Sequence, residues 1–189
     1  MADTRKVAVL VGSLRRDSFN RKLALALAAI AAPALQFEIV EIGALPLYDQ
    51  DLETDSPPAP WLAFRQQVAQ ADALLFVTPE YNRSVPGALK NAIDVGSRPY
   101  GKSVFSGKPG AVISASPGAM GGFGANHHLR QMLVFLDVPV LQQPEAYLGG
   151  VDKLLDAQGG IANPATQDFL AKFAQAFERW IATHAKARQ

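Results

Sequence analysis

The run ALLFVT at residues 73–78 is apolar at nearly every position and lacks the inward–outward alternation of a half-exposed strand. Such a segment fits where helices cover both faces of a sheet, the usual setting of parallel strands joined by crossovers. The rest of the chain agrees. Short β-rich runs at 6–11, 37–42, 111–115 and, more weakly, 138–141 alternate with segments of 3.6-residue period. Leu23, Leu27 and Ile30 make one helical stripe; Val85, Leu89, Ala92 and Ile93 make a second. Leu129, Met132, Leu133 and Leu136 form a third, and Phe169, Phe173, Phe177, Trp180 and Ile181 a fourth. A weaker helix at 61–71 carries Leu62, Phe64 and Val68. This alternation predicts an α/β fold: a doubly wound, five-stranded parallel sheet in the order 2-1-3-4-5, sandwiched between two helical layers.

The chain has 189 residues, 49% of them apolar, with no internal repeat or linker, so a single domain over residues 1–189 is expected. A net charge of +1 provides no bulk field toward nucleic acid or membrane. Cysteine is absent, which excludes disulfides, thiolate nucleophiles and cysteine-ligated metals. Redox chemistry would therefore need a bound cofactor. The apolar run near the N-terminus is too short for a signal peptide or a span, so a cytoplasmic location is the expectation.

Ligands of open α/β sheets sit beyond the strand C-termini where the chain reverses direction, here between strands 1 and 3. Three polar or glycine-rich loops fall there: GSLRRDSFN, TPEYNRSVPG and SPGAMGGFG. In the first, Gly12 permits a hard turn and Ser18 is a natural N-cap. Ser13, Ser18 and Asn20 offer neutral donors, and Arg15 can fork onto phosphate oxygens at a helix N-terminus. Without G-x-G-x-x-G, this set suits a terminal monophosphate better than a pyrophosphate. A capped helix with solvated arginines is the plainer alternative. In the second loop Tyr81 beside a short polar peptide offers a stacking face and backbone groups to a flat ring such as flavin. In the third, Ser116 and Gly118 allow close backbone approach, and Gly121 and Gly122 open the next helix.

Together, GSLRRDSFNRKLA, TPEYNRSVPGALKNAIDVGSRPYG and GKPGAVISASPGAMGG resemble the NAD(P)H-dependent FMN reductase family, of flavodoxin-like fold, and within it the bacterial chromate and quinone reductases. The resemblance runs from about residue 6 to residue 145. It implies non-covalent FMN, NAD(P)H as co-substrate and a homodimer or homotetramer with FMN at the subunit edge. By motif position, Ser13, Arg15, Ser18 and Asn20 hold the phosphate, and Phe19 belongs to the same cofactor-binding set. Pro79, Glu80, Tyr81 and Asn82 line the ring and ribityl chain, and Ser116 and Gly118 complete the pocket. The implied reaction is ping-pong hydride transfer from NAD(P)H through FMN to quinones, flavins, azo compounds or oxidised metals such as chromate, with no protein acid or nucleophile required. Relatives often carry an arginine where this chain has Gly124. Two other classes are compatible with the loops: a flavodoxin-type electron carrier without NAD(P)H turnover, for which the +1 charge supplies no acidic docking face, and a flavin-free phosphate-binding domain.

Other motifs are decoys. GSRPYGKS at 96–103 satisfies the Walker A pattern, yet it follows a helix and precedes VFSGKPG, which cannot form one. His127 and His128 are adjacent, so on a helix they diverge by about 100° and cannot clamp one metal. The acidic run YDQDLETD at 48–55 reads as a solvated connection. Val134 and Phe135 lie off the core stripe of their helix, suggesting a subunit contact.

Overall fold

The computed structural model describes residues 4–184. Its strands are β1 (Arg5–Val11), β2 (Leu35–Ile39), β3 (Ala73–Thr78), β4 (Gly110–Ser116) and β5 (Ala146–Gly149). They form one sheet in the order β2-β1-β3-β4-β5, and every neighbouring pair is parallel. The helices are α1 (Phe19–Ala31), α2 (Ala59–Ala69), α3 (Gly87–Gly96), α4 (Phe123–Phe135), the short α5 (Val151–Leu154) and α6 (Pro164–His184). Strand order and layering match the sequence expectation. All six residues of β3 are buried, as an unalternating apolar run in the centre of a two-sided sheet requires.

Successive strand residues divide between two cores because side chains alternate across the sheet. Val7, Val9, Leu75, Val77 and Ile113 face α1 and α6, where Leu23, Leu27, Phe173, Phe177 and Ile181 are buried. Ala8, Leu10, Leu74, Phe76 and Val112 face α2, α3 and α4, where Trp61, Phe64, Leu89 and Leu129 are buried. The described residues contain no helix long and apolar enough to cross a membrane.

Four expectations are corrected. The run at 138–141 is not a strand: it makes one isolated bridge, Gly110 with Val140, and the fifth strand lies further on at Ala146–Gly149. Pro139 has no amide to extend a ladder, and its carbonyl already accepts from Gly110 N and from Trp180 Nε1. The second strand begins and ends earlier than 37–42; Val40 and Ile42 are buried beyond its end. In α2 the buried stripe is Trp61, Phe64, Arg65 and Val68, while Leu62 is exposed. That is an i, i+3, i+4, i+7 face, rotated by one residue from the one the apolar letters suggest.

The acidic connection is not fully solvated either. Glu53 receives two hydrogen bonds from the Arg65 guanidinium, at 2.8 and 2.6 Å, and Arg65 Nε donates to the Val95 carbonyl. A buried arginine with both forks occupied ties the long excursion after β2 to α2 and α3. The Walker-like segment runs from the end of α3 into a turn, with no strand before it and no helix after it, so it makes no phosphate loop.

Candidate functional site

β1 and β3 are neighbours, paired from Val7 with Ala73 to Val11 with Val77, so the reversal point lies above their C-terminal ends. Gly12 is the joint between the first two loops. Its amide donates to the Val77 carbonyl, and a Cβ there would come within 2.8 Å of Thr78 Oγ1 and 3.3 Å of Pro79 Cδ. Only glycine lets the first loop cross so close to the second.

The first loop leads into α1 as the sequence predicts. Ser18 is the N-cap: its Oγ accepts from Arg21 N at 3.1 Å, and its carbonyl accepts from Lys22 N. The amides of Phe19 and Asn20 have no partner among the described residues and remain open at the positive end of the helix. The Ser18 hydroxyl proton is also uncommitted, since the cap uses the oxygen as acceptor. Arg15 is exposed with no ion pair among the described residues, Arg16 lies beside Asp17 in solvent, and Arg21 bonds Glu41 at 2.7 Å. The outer flank of this loop opens onto a cleft of about 530 Å³ lined by Ser13, Arg15, Arg16 and Arg21 together with Leu14 and Ile42.

Asn20 is more particular than a generic donor. It is buried, and its Nδ2 donates to the Ala115 carbonyl at the end of β4. Its Oδ1 is the one buried side-chain polar atom without a hydrogen-bond partner among the described residues. A buried orphan acceptor is costly unless a bound group supplies a proton. A phosphate dianion cannot, whereas a sugar-alcohol hydroxyl can. The second Nδ2 proton stays available for an anion.

The second loop is a tight hairpin. Tyr81 N donates to the Ser84 carbonyl and Ser84 N to the Tyr81 carbonyl, both at 2.9 Å. The two central residues, Asn82 and Arg83, have φ of 51° and 63°. Positive φ at both centres is the type I′ pattern, in which the second position favours glycine. The left-handed conformation costs a residue with a Cβ about 1–2 kcal/mol. Tyr81 projects outward, 51% exposed, at the rim. The Pro79 carbonyl is taken by Thr78 Oγ1, while the amides of Glu80, Asn82, Arg83 and Val85 have no partner among the described residues.

Glu80 does something its motif position does not announce. Its Oε2 accepts from Ala125 N at 2.9 Å in the first turn of α4, a contact between residues 45 apart in the chain. The helix has no side-chain cap of its own, beginning at Gly122 with φ 77°. Glu80 therefore satisfies one of its free amides and fastens the second loop to the third. A Cβ at Gly124 would meet Glu80 Oε2 at 2.9 Å and the Arg83 carbonyl at 3.0 Å, so the carboxylate occupies the space that a side chain at 124 needs.

In the third loop Gly118 N donates to Ser116 Oγ, and its carbonyl accepts from Gly121 N. Gly118 thus offers room to a ligand, not hydrogen bonds. Beside it Phe123, His127 and Tyr147 cluster, with Phe123 4.2 Å from the His127 ring and the Tyr147 hydroxyl bonded to His127 Nε2 at 2.9 Å. Burial, then a hydrogen bond to Glu145 and that carboxylate's charge, push the Tyr147 hydroxyl up to about 12. His128 Nδ1 lies 2.7 Å from Ser84 Oγ. The two histidines serve different partners, and the described residues contain no group of three or more metal-ligating side chains.

The fit to a flavin mononucleotide is concrete: open amides and a hydroxyl for a phosphate, an orphan acceptor for a ribityl hydroxyl, and free peptide groups beside an aromatic at the rim. Comparison with known proteins decides the family. The profile of the NADPH-dependent FMN reductases matches residues 5–153. The chain belongs to that family. Quinone reductase from Pseudomonas putida is 59% identical over 181 residues, covering 96% of this chain and 97% of that protein. A 2-hydroxy-1,4-benzoquinone reductase from a Burkholderia species is 51% identical over 176 residues, covering 93% of this chain and 96% of that protein. Among solved structures, FerB from Paracoccus denitrificans, a flavoenzyme NAD(P)H:(acceptor) oxidoreductase, superposes with a TM-score of 0.92 at 42% identity, covering 97% of this chain and all of that one. The fold is flavodoxin-like, and the reductase is an oxidoreductase that uses FMN with NAD(P)H.

Proposed function

We propose that this FMN reductase is a quinone reductase whose crevice between the GSLRRDSFN and PEYN loops holds FMN. The observation that carries the reading is Asn20, whose orphan Oδ1 lies buried beside the open Phe19 and Asn20 amides. Phosphate would be held by those amides, the Ser13 and Ser18 hydroxyls and Arg15, whose guanidinium makes charge-assisted bonds. Asn20 Oδ1 would accept a hydrogen bond from a ribityl hydroxyl, which would convert an unsatisfied acceptor into a bonded one. The peptide groups of Glu80 and Asn82 would serve the polar edge of the ring, Pro79 and Tyr81 would flank it, and Ser116 and Gly118 would leave the space to admit it. When bound there, FMN would supply the two-electron redox chemistry that links NAD(P)H to the acceptor. The protein's part would be to orient the ring and admit the donor and the acceptor in turn. No side chain is assigned as proton donor.

Quinones are favoured as acceptors by the two relatives, which carry that substrate in their names at 59% and 51% identity. Free flavins, azo compounds and chromate are further acceptors in this reading, in a cytoplasmic homodimer or homotetramer whose single domain spans residues 1–189.

The purified protein should be yellow and should bleach within seconds when NADPH or NADH is added without oxygen, recovering on addition of benzoquinone. Flavin absorbance without reduction would leave an electron carrier. A colourless chain that takes up no FMN ends the flavin assignment. The phosphate assignment has its own test. Arg15→Ala should weaken FMN by about 1.5–3 kcal/mol, the range for a hydrogen bond to a charged group. Riboflavin, which lacks the phosphate, should bind both proteins equally; an equal loss for riboflavin would make Arg15 structural.

A further inference from the structure

The hairpin at Tyr81–Ser84 holds an arginine where its backbone favours glycine. Nothing in the packing compensates. The Arg83 side chain is 80% exposed, and its ion partner is Glu80 Oε1 at 3.6 Å, too long for a good hydrogen bond. An exposed pair of this length adds little stability. Glu80, however, is firmly placed: its side chain is 14% exposed and its other oxygen is fixed by Ala125 N. The guanidinium thus stands in solvent near a carboxylate anchored from α4, with its donors uncommitted. Gly124 keeps that corner clear, since a side chain there would press on Glu80 and on the Arg83 carbonyl. A left-handed residue that keeps an exposed cation with free donors beside the crevice is a position from which a ligand could be bound.

We propose that Arg83 is a specificity-determining residue that binds a phosphate group of the reducing nucleotide. The inference rests on the crevice being an NAD(P)H-dependent flavin site. A dihydronicotinamide stacked beside the exposed rim residue Tyr81 would extend its phosphates toward solvent, where Arg83, two residues beyond that tyrosine, offers a cation. The three arginines of the first loop and the start of α1 are differently disposed: Arg15 is assigned to the flavin phosphate, Arg16 lies in solvent beside its neighbour Asp17 at 3.9 Å, and Arg21 is bound by Glu41.

The test compares FMN-loaded wild type, Arg83→Gly and Arg83→Lys with NADPH, NADH and 1-benzyl-1,4-dihydronicotinamide, which has no phosphate. Arg83→Gly should raise KM for NADPH about fivefold to twentyfold, with kcat changed less than twofold, as expected for loss of a partly solvated charge-assisted contact. The benzyl donor should react equally with both. Arg83→Lys should lie between, and added salt should erode the wild-type advantage. Thermal stability of Arg83→Gly should equal or exceed wild type, because glycine relieves the turn. A rise confined to NADPH assigns the 2′-phosphate, and a rise for both nucleotides assigns the pyrophosphate. Unchanged KM for both, or an equal loss with all three donors, overturns the proposal. If wild type oxidises none of the donors, the underlying flavin-reductase reading fails, and this inference with it.

Discussion

Tyr147 carries a titration signature at the edge of the third loop. Burial, the bond to Glu145 and that carboxylate's charge hold its hydroxyl at about 12 in the folded chain, against about 10 for an unfolded tyrosine. Below pH 10 both states keep the proton, and the stabilisation is fully present. Between pH 10 and 12 the folded state binds more protons than the unfolded one, so stability falls as pH rises. Thermal melts from pH 9 to 11.5 should therefore drop more steeply for wild type than for Tyr147→Phe, which has no such proton to lose. Parallel curves would show that the phenol is not perturbed. The residue scale is also where sequence reading was weakest. Ser18 as N-cap was legible because capping is local. Asn20 was legible as a polar group at a helix start, but its orphan acceptor depends on the Ala115 carbonyl 95 residues away. Position 83 carries no local warning either, since Asn-Arg lacks the Asn-Gly signal of a type I′ turn.

At the scale of elements, α4 shows how a helix start can depend on a distant loop. Gly122 opens it in the left-handed region and Glu80 supplies the missing cap. In an open helix, Gly→Ala raises stability by up to about 1 kcal/mol. At Gly124 the new Cβ would press on Glu80 Oε2 and on the Arg83 carbonyl, and the carbonyl, being backbone, cannot swing away. Gly124→Ala should therefore destabilise by about 1–2 kcal/mol, the lower part of the range for overpacking. Part of that cost should vanish in a Glu80→Ala background, where denaturant melts of the four-member cycle would give a coupling of about 0.5 kcal/mol or more. Additive effects would mean that the two residues do not share this space. The same long-range logic explains the misplaced fifth strand. Val138 to Leu141 is apolar enough to read as β, but Asn126 and Arg130 of α4 place this end of the sheet. Asn126 donates to Ser114 Oγ and the Ala146 carbonyl, and Arg130 donates to the Leu141 carbonyl. Those bonds tie α4 to the start of AYLG and to the end of the apolar run before it, and no periodicity in the segment itself encodes them. β3 was legible to the residue because burial on both faces leaves a signature within the strand.

The whole molecule follows from one topological fact, the reversal between β1 and β3, which brings three sequence-distant loops to one crevice. That much needed only the alternation of strands and helices. What the alternation also leaves is an apolar surface away from the crevice floor. Val134 and Phe135 on the outer face of α4 are 77% and 75% exposed, and Tyr100 in the turn after α3 is 84% exposed. Phe135 and Tyr100 flank a common cleft of about 220 Å³ with Ser97, Arg98 and Leu136. The inner face of α4 already buries Leu129 and Leu133, so the helix is apolar on two sides, which a solitary surface helix is not. A second copy covering this face would remove two large side chains from water in each protomer, and in a twofold pair each such contact occurs twice. Phe135→Asp places a charge where that burial would occur and should carry a desolvation cost on both sides of the pair. In sedimentation velocity the wild-type reductase should run as a dimer or larger, and Phe135→Asp should shift it toward the 20.2 kDa monomer. A wild-type monomer, or a variant that assembles as well as wild type, would mean that subunits do not meet through this face.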